Sequence, residues 1–513
     1  MQRERLTRLY DLHAWIGVIT GLFIFIVSFS GSVALFGDEI STWEDPVTRL
    51  QVSDQPIEIT PLLDSFVNEV TANGQLTSLS MRYPTIHTPY YHGFANIKSD
   101  QETVLHTRRW NSHTGEIIPE RGEGLAHWLV EFHAELMLPN RTLGRSLVGV
   151  AGVLLLLSII TGILTHQKII KELFSWRMNK TMRVRWKDTH NVIGIWGLPF
   201  HTMIAFTGAF LGIVALLVPL IGVTAFKGDQ GAVMRAVNGE PTVASGISAP
   251  MFSLTQAQGK VREATQREPY FVLIKHWQDQ NAEYEVFYPP EKELVRFAHI
   301  EMSGVTGEMS APIISPLPSV AGRIAASLTP LHYATYGGIT LKLLYFVLGI
   351  TLCIVIATGL TLWIERRLHG NLGKRSPRYY QTLSRLISGA TSGMVLSSIA
   401  LFYVDRLIDV APTQRLTWIG SSYFLIWAFA IVYALFRDNS YRTNKHLLGL
   451  SALALIGLPV LDYLTSQAHI ISQWQQQHIA AASTNLIAFV VGVILLIALS
   501  RLPNQRPQKV IPQ

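Results

Sequence analysis

Four histidines stand where an ionisable ring is costly. His13 in "DLHAWIGVITG", His133 in "EFHAELMLPN", His190 in "DTHNVIGIWG" and His332 in "PLHYATYGG" each lie at or near the edge of a long apolar run. Titratable side chains at membrane depth are expensive and usually face a bundle interior or a water-filled cavity. A neutral imidazole is the commonest metal ligand. Two opposed imidazoles with no thiolate, thioether or carboxylate beside them suit six-coordinate haem iron better than tetrahedral zinc. One such ring on its own has an equally good use as an interfacial hydrogen-bonding group, so the case for chemistry rests on pairing.

The pairing comes from an internal repeat. Laying "LHAWIG" on "THNVIG" puts His13 on His190, Gly17 on Gly194 and Ser30-Gly31 on Thr207-Gly208, 177 residues apart and without a gap. In the following apolar runs Gly152 matches Gly349, and Thr161-Gly162 matches Thr358-Gly359. His133 and His332 lie a little upstream of those runs. The first two thirds of the chain therefore reads as a duplication, and it predicts two symmetry-related pairs, His13 with His190 and His133 with His332.

These residues need spans to position them. The chain has 513 residues, 49% hydrophobic and 15% charged, with a formal charge of +7, which suits a membrane protein with basic loops and argues against a nucleic-acid binder. Ala14–Phe36 is free of charge over a length that rises roughly 34 Å as a helix, enough for a hydrocarbon core of about 30 Å. Further candidate spans are Leu147–Thr165, Val192–Phe226, Leu343–Ile364, Leu386–Val404, Leu416–Phe436, Leu447–Leu464 and Leu486–Ser500. Arg3, Arg5 and Arg8 precede the first, but its length and the lack of a small-x-small site favour a retained anchor over a signal peptide. Lys and Arg collect in the loop 167–189 and near residues 366–378, 437–445 and 501–509, which predicts both termini and these loops in the cytoplasm.

The expected fold is thus a membrane all-α helical bundle of about eight transmembrane helices carrying two small extracytoplasmic α+β domains, with an internal parallel duplication related by a pseudo-twofold along the membrane normal. Its segments are 1–36 (first span), 37–144 (polar domain and pre-helix), 145–166 (second span), 167–189 (basic loop), 190–226 (third span), 227–342 (second polar domain), 343–367 (fourth span) and 368–513 (four added spans). Each polar segment runs from a helical stretch into β-branched and aromatic alternation, and closes on a Thr-Gly-Glu turn, "SHTGEI" and "SGVTGEM". The only cysteine, Cys353, lies in a span, so no disulfide holds these domains.

The four blocks "LHAWIGVITGLFIFIVSFSG", "FHAELMLPNRTLGRSLVGVAGVLLLLSIITG", "THNVIGIWGLPFHTMIAFTG" and "LHYATYGGITLKLLYFVLGITLCIVIATGLTLW" resemble the four spans of the PepSY-associated transmembrane family, and the two Thr-Gly-Glu domains resemble its PepSY modules. The resemblance covers residues 1 to about 367. It implies an iron-regulated or ferrisiderophore-reductase-like protein that passes electrons through b-type haem, two by the pairing above, to ferric iron or a ferric siderophore outside. It also puts the family's span histidines on His13, His133, His190 and His332 as ligands of the haem iron.

Second-tier candidates are His201 and His127. His201 lies eleven residues after His190, about three turns deeper on nearly the same helix face, and its counterpart in the first repeat is Ile24. His127, six residues before His133, does not share its face. His87, His92, His106 and His113 with Tyr90 and Tyr91 could offer an iron surface, but they lack tight ligand spacing. No G-x-G-x-x-G follows a strand, so the chain does not oxidise NAD(P)H itself and needs a quinol or a separate reductase as donor. Residues 370–513 hold no ligand pair and could dock a partner, form an oligomer or shape a quinone pocket. Two other classes compete: a haem-free scaffold or sensor whose PepSY domains bind or inhibit an envelope peptidase, and a siderophore or metal transporter.

Overall fold

In a computed structural model the described residues are 2–51, 56–86, 88–99, 102–166, 168–177, 180–229, 231–232, 242–290, 294–295, 298–313, 320–368 and 375–501. His87 lies outside them. The first half runs α1 (Gln2–Ala34), α2 (Gly37–Glu44), α3 (Thr60–Val70), β1 (Gln75–Arg82), β2 (Tyr90–Lys98), β3 (Thr103–Asn111), β4 (Ile117–Ile118), α4 (Leu125–Glu135) and α5 (Arg141–Thr165). After a short α6 (Ile169–Glu172), the second half runs α7 (Met182–Trp196), α8 (Leu198–Ala225), α9 (Leu254–Thr265), β5 (Phe271–Lys275), β6 (Glu283–Tyr288), β7 (Ala298–Ser303), α10 (Val320–Tyr333) and α11 (Gly338–Leu368). The added region is α12 (Pro377–Leu407), α13 (Pro412–Phe436), α14 (Ser440–Ser466), α15 (Ile470–Gln475) and α16 (Ile479–Ser500).

Among the described residues seven helices are long and apolar enough to cross a membrane: α1, α5, α11, α12, α13, α14 and α16. The helices α7 and α8, bent by 69° where they meet, pass the same test only together, which brings the number to eight if the bent pair is one span. The expected continuous span 190–226 is therefore corrected to a broken one. The cause is local: in "WGLPF" Pro199 removes a donor from the first turn of α8, and Gly197 fills the joint. A side chain at 197 would collide with the His201 ring, so only glycine fits there. The break also ends the argument that placed His201 on the same face as His190, because the two lie on differently directed helices.

The two small domains are likewise corrected to one body. Their strands form a single seven-stranded antiparallel sheet in the order β4-β3-β2-β1-β5-β6-β7, joined where β1 pairs with β5. Each of those strands would otherwise leave an open edge, and joining them satisfies both rows of backbone groups. The Thr-Gly-Glu turns fix which strands correspond. Working inward, Tyr91 lies opposite Trp110 as Tyr284 lies opposite Met302, and Met81 lies opposite Gly93 as Val272 lies opposite Val286. Met81 and Val272 are thus counterparts, and they also face each other across the joint. The pseudo-twofold axis passes between them.

One face of this sheet is covered by α3 and α9, whose Leu63, Phe66, Val67, Leu254, Ala257 and Val261 close over Met81, Tyr91, Val272 and Tyr284. The two helix starts meet at the joint. The Glu58 carboxylate accepts from the Thr60 amide (3.1 Å) and hydroxyl (2.6 Å), and the Thr60 hydroxyl accepts from the Leu254 amide at 2.8 Å. Orphan amides of both first turns are satisfied by this shared set.

The spans repeat the symmetry. Helix α1 packs on α5 and α4 as α7 packs on α11 and α8 on α10. The matched glycines Gly152 and Gly349 both lie at helix crossings. A Cβ at 152 would come within 2.7 Å of the Ala209 amide nitrogen, and one at 349 would strike Ser32, the residue that matches Ala209. The added helices break the symmetry, since α12, α13 and α16 dock against α1, α2 and α4 of the first half, and α12 also touches α11.

Candidate functional site

All four candidate histidines end up in two facing pairs. The rings of His13 and His190 have their centres 6.3 Å apart with planes at 68°. Those of His133 and His332 are 6.2 Å apart with planes at 15°. His133 on α4 and His332 on α10 lie at the end of the bundle next to the sheet; His13 and His190 lie toward the opposite end.

Each ring is held by the same kind of socket. His13 Nδ1 lies 2.9 Å from the Ser158 carbonyl and 3.2 Å from Thr161 Oγ1. His190 Nδ1 lies 2.8 Å from the Val355 carbonyl and 3.4 Å from Thr358 Oγ1. His133 Nδ1 lies 3.0 Å from the Val27 carbonyl and 3.4 Å from Ser30 Oγ, and His332 Nδ1 lies 2.9 Å from Thr207 Oγ1. A proton on Nδ1 donated to these oxygens fixes the tautomer and leaves Nε2 with its lone pair, as a metal ligand requires. Among the described residues no protein group hydrogen-bonds any of the four Nε2 atoms.

The glycine that follows each hydroxyl completes the socket. A Cβ at Gly31 would lie 2.6 Å from His133 Cε1, at Gly208 3.0 Å from His332 Cε1, at Gly162 3.3 Å from His13 Cε1 and at Gly359 3.1 Å from His190 Cε1. Each of the four core spans thus carries a Ser/Thr-Gly dipeptide that receives one histidine from another element, while the further Thr20-Gly21 of α1 lies against Leu360. The dipeptides were visible in the repeat as matched positions. What they receive was not, because the contacts join residues 103 to 168 apart in sequence.

The residues present fit haem. An imidazole nitrogen sits about 2.0–2.1 Å from a metal and about 1.1 Å from its own ring centre, so two rings across one iron have centres roughly 6.2–6.4 Å apart. Both pairs meet that spacing. Gly17, one turn from His13, has nothing within 4 Å of its missing Cβ, and Gly194 has only Val355 Cγ1 at 4.0 Å. Close helix packing does not account for either glycine.

The second-tier histidines stand apart. His201 is buried at 2% exposure, with Nε2 3.4 Å from Thr351 Oγ1 and Phe200 beside it, and no second histidine ring faces it among the described residues. His127 is half-exposed and lies 3.3 Å from Glu123. The surface set around Tyr90 is split by strand alternation: Tyr91 points into the helix-covered core, while His92 lies on the other face, 3.5 Å from Glu120. His113 bonds the Gln51 carbonyl at 2.9 Å.

A buried ionic network escaped the sequence reading. Asp462 accepts from Arg49 at 2.7 and 3.2 Å, from Arg406, from Gln473 at 2.6 Å and from Asn485 at 2.7 Å. Asp405 accepts from Arg415 at 2.6 Å, and Arg415 lies 3.6 Å from Glu44. Arg109 reaches Asp45 at 2.8 Å. Arg49 and Asp462 lie 413 residues apart, whereas Asp405 and Arg415 lie ten apart. The faint signal was a charged residue near a span end, Asp405, Arg406 and Asp462, which a window average hides.

The model of the PepSY-associated TM region matches residues 10–366. The chain belongs to that family. This PepSY-associated protein is also similar to an uncharacterized protein of Pseudomonas aeruginosa, 27% identical over 371 residues, which cover 69% of this chain and 89% of that one. The family match ends within α11, so α12 to α16 are additions to the family region. The family match and the apolar helices make it a multi-pass membrane protein.

Proposed function

We propose that this protein is a b-type haem electron-transfer protein of the bacterial inner membrane that reduces ferric iron or a ferric siderophore at the sheet side. The observation that carries the reading is the pair of histidine pairs, each at the separation one iron requires and each with Nδ1 already engaged. When bound, haem supplies a one-electron couple at each pair. The protein's own share is to hold each Nε2 neutral and aimed, through carbonyl and hydroxyl contacts to Nδ1, and to bury the pairs among Leu, Ile, Val and Phe side chains of the spans.

Direction follows from charge. Among the described residues, the Lys and Arg of 168–187, 366–367, 375–378 and 437–445 lie at the helix ends away from the sheet, which supports a cytoplasmic location for them and a sheet facing outward. The reductant is a membrane quinol or a separate reductase, and reaction at the sheet side consumes one electron per ferric ion. Purified protein from haem-replete cells should show a Soret band and a sharp α band on dithionite reduction, and a ferric chelate should reoxidise it. A colourless preparation would leave the scaffold reading in its place.

A further inference from the structure

The two halves match closely at the spans, but the two helices that carry the sheet-side pair do not share the same surroundings. Helix α4, which bears His133, is clasped by the added region. Trp128 and Phe132 stack on one another at 4.9 Å, and both lie against Tyr423 of α13, at 4.4 and 5.1 Å. Trp128, Phe132 and Tyr423 are all buried. Gly420, one turn before Tyr423, admits the Trp128 indole so closely that a Cβ there would lie 2.9 Å from its Nε1.

The start of α4 is fixed by the same partner. Arg415 of α13 donates to the Gly122 carbonyl at 3.0 Å, and a Cβ at Gly124 would lie 2.5 Å from its guanidinium. Arg415 is itself anchored on Asp405, while the Glu44 carboxylate accepts from the Ala126 amide at 3.0 Å. So α13 touches α4 at its first turn and again at Phe132, next to the ligand candidate.

Among the described residues, helix α10, the counterpart that bears His332, has no such clasp. Its Val320 and Ile324 are 76% and 60% exposed, and its main partner is α8. Tyr345 of α11 adds one hydrogen bond to the Leu331 carbonyl at 3.0 Å.

Resting on the haem reading above, we propose that Tyr423, seated against Trp128 and Phe132, is a positioning residue for His133, and that α13 thereby tunes the sheet-side centre. The physical route is short. Phe132 and His133 are adjacent on one rigid helix, so a shift of the Trp128/Phe132 stack turns α4 and swings the imidazole out of its near-parallel alignment with His332. Axial ligation and its geometry are a principal lever on a haem potential. His13 sits on α1 and His190 on α7, and neither helix has α13 among its main partners.

The experiment is a redox titration of the full chain, followed by visible and paramagnetic resonance spectra, for wild type, Tyr423→Ala, Tyr423→Phe and Gly420→Ala. Truncation to Ala leaves a cavity beside α4, whereas Phe keeps the ring that makes the contact. We expect Tyr423→Ala to raise the midpoint potential of the sheet-side centre, since a poorly aligned donor stabilises the ferric form less, and to broaden its ferric signal. Tyr423→Phe should match wild type. Gly420→Ala, a milder push on Trp128, should shift the same centre less and serves if Tyr423→Ala does not fold. The His13/His190 centre should not move, and amide exchange should quicken in α4 but not in α10. A colourless wild type would overturn the haem reading and this proposal with it. A coloured wild type whose variants move both centres together, or neither, would overturn the proposal alone.

Discussion

His133 and His332 face each other with ring planes only 15° apart, whereas His13 and His190, at nearly the same separation, are turned by 68°. The helices that carry the rings differ as well. His190 rides on α7, which is set at 69° to α8 by the Gly197-Leu198-Pro199 joint, while its counterpart His13 sits on the unbroken α1. Near-parallel imidazole planes give ferric low-spin iron a rhombic resonance and near-perpendicular planes a strongly axial one. Two distinct ferric signals are therefore expected, and His332→Ala should erase the rhombic one while leaving the axial one. One uniform signal from both centres would contradict the geometry.

The glycine sockets make a sharper test. Gly31→Ala and Gly208→Ala place a Cβ 2.6 and 3.0 Å from a histidine ring, so the ring must yield, at a cost of about 1–3 kcal/mol for overpacking. Half of the haem absorbance should be lost in each. Gly17→Ala behaves differently: it meets no protein atom within 4 Å, and alanine favours a helix over glycine by about 1 kcal/mol. The variant should fold at least as well as wild type yet lose the His13/His190 haem. Full haem content in Gly17→Ala would show that the open space is not a cofactor cradle.

Asp462 holds the added helices to the first half. Its side chain is fully buried between Arg49 and Arg406, and removing one partner of such a pair typically costs about 3–5 kcal/mol because the other charges are left unpaired. Asp462→Ala should lower the thermal midpoint in detergent and open α14 and α16 to proteolysis, while the histidine pairs, which it does not touch, keep their spectra. A loss of haem at unchanged stability would count against this division.

Acid should loosen the sheet through Asp279. Its carboxylate accepts from the amides of Ser245, Gly246 and Asn281 and from the Ser245 hydroxyl, and these bonds hold it at about 2. Because the folded value lies below the ordinary 3.8, the contribution is fully present above about pH 4 and is lost as the pH falls through about 2. The difference in melting temperature between wild type and Asp279→Asn should be constant from neutral pH down to about 4 and close below it. A difference that persists at pH 1.5 would refute the assignment.

Much of this molecule was legible in one dimension. That the chain crosses the membrane several times follows from run length, because a bilayer sets a minimum count of uncharged residues. The duplication follows from gapless offsets, which carried His13 to His190 and Ser30-Gly31 to Thr207-Gly208, and with them the two pairs that the fold brings together. Those are local or periodic properties, and sequence preserves them.

Three features were decided only in three dimensions. The β1–β5 joint depends on two edge strands from distant segments finding each other, and neither strand's pattern names its partner. The bend at Gly197 was written in "GLP", but whether proline kinks, ends or merely opens a helix is settled by what packs around it, here the His201 ring. The clasp of α13 on α4 arises from buried charges and aromatic rings whose partners lie hundreds of residues away. Burial makes such contacts strong and leaves no period in the sequence to reveal them, which is why the histidines could be paired from the chain alone while the residues that orient them could not.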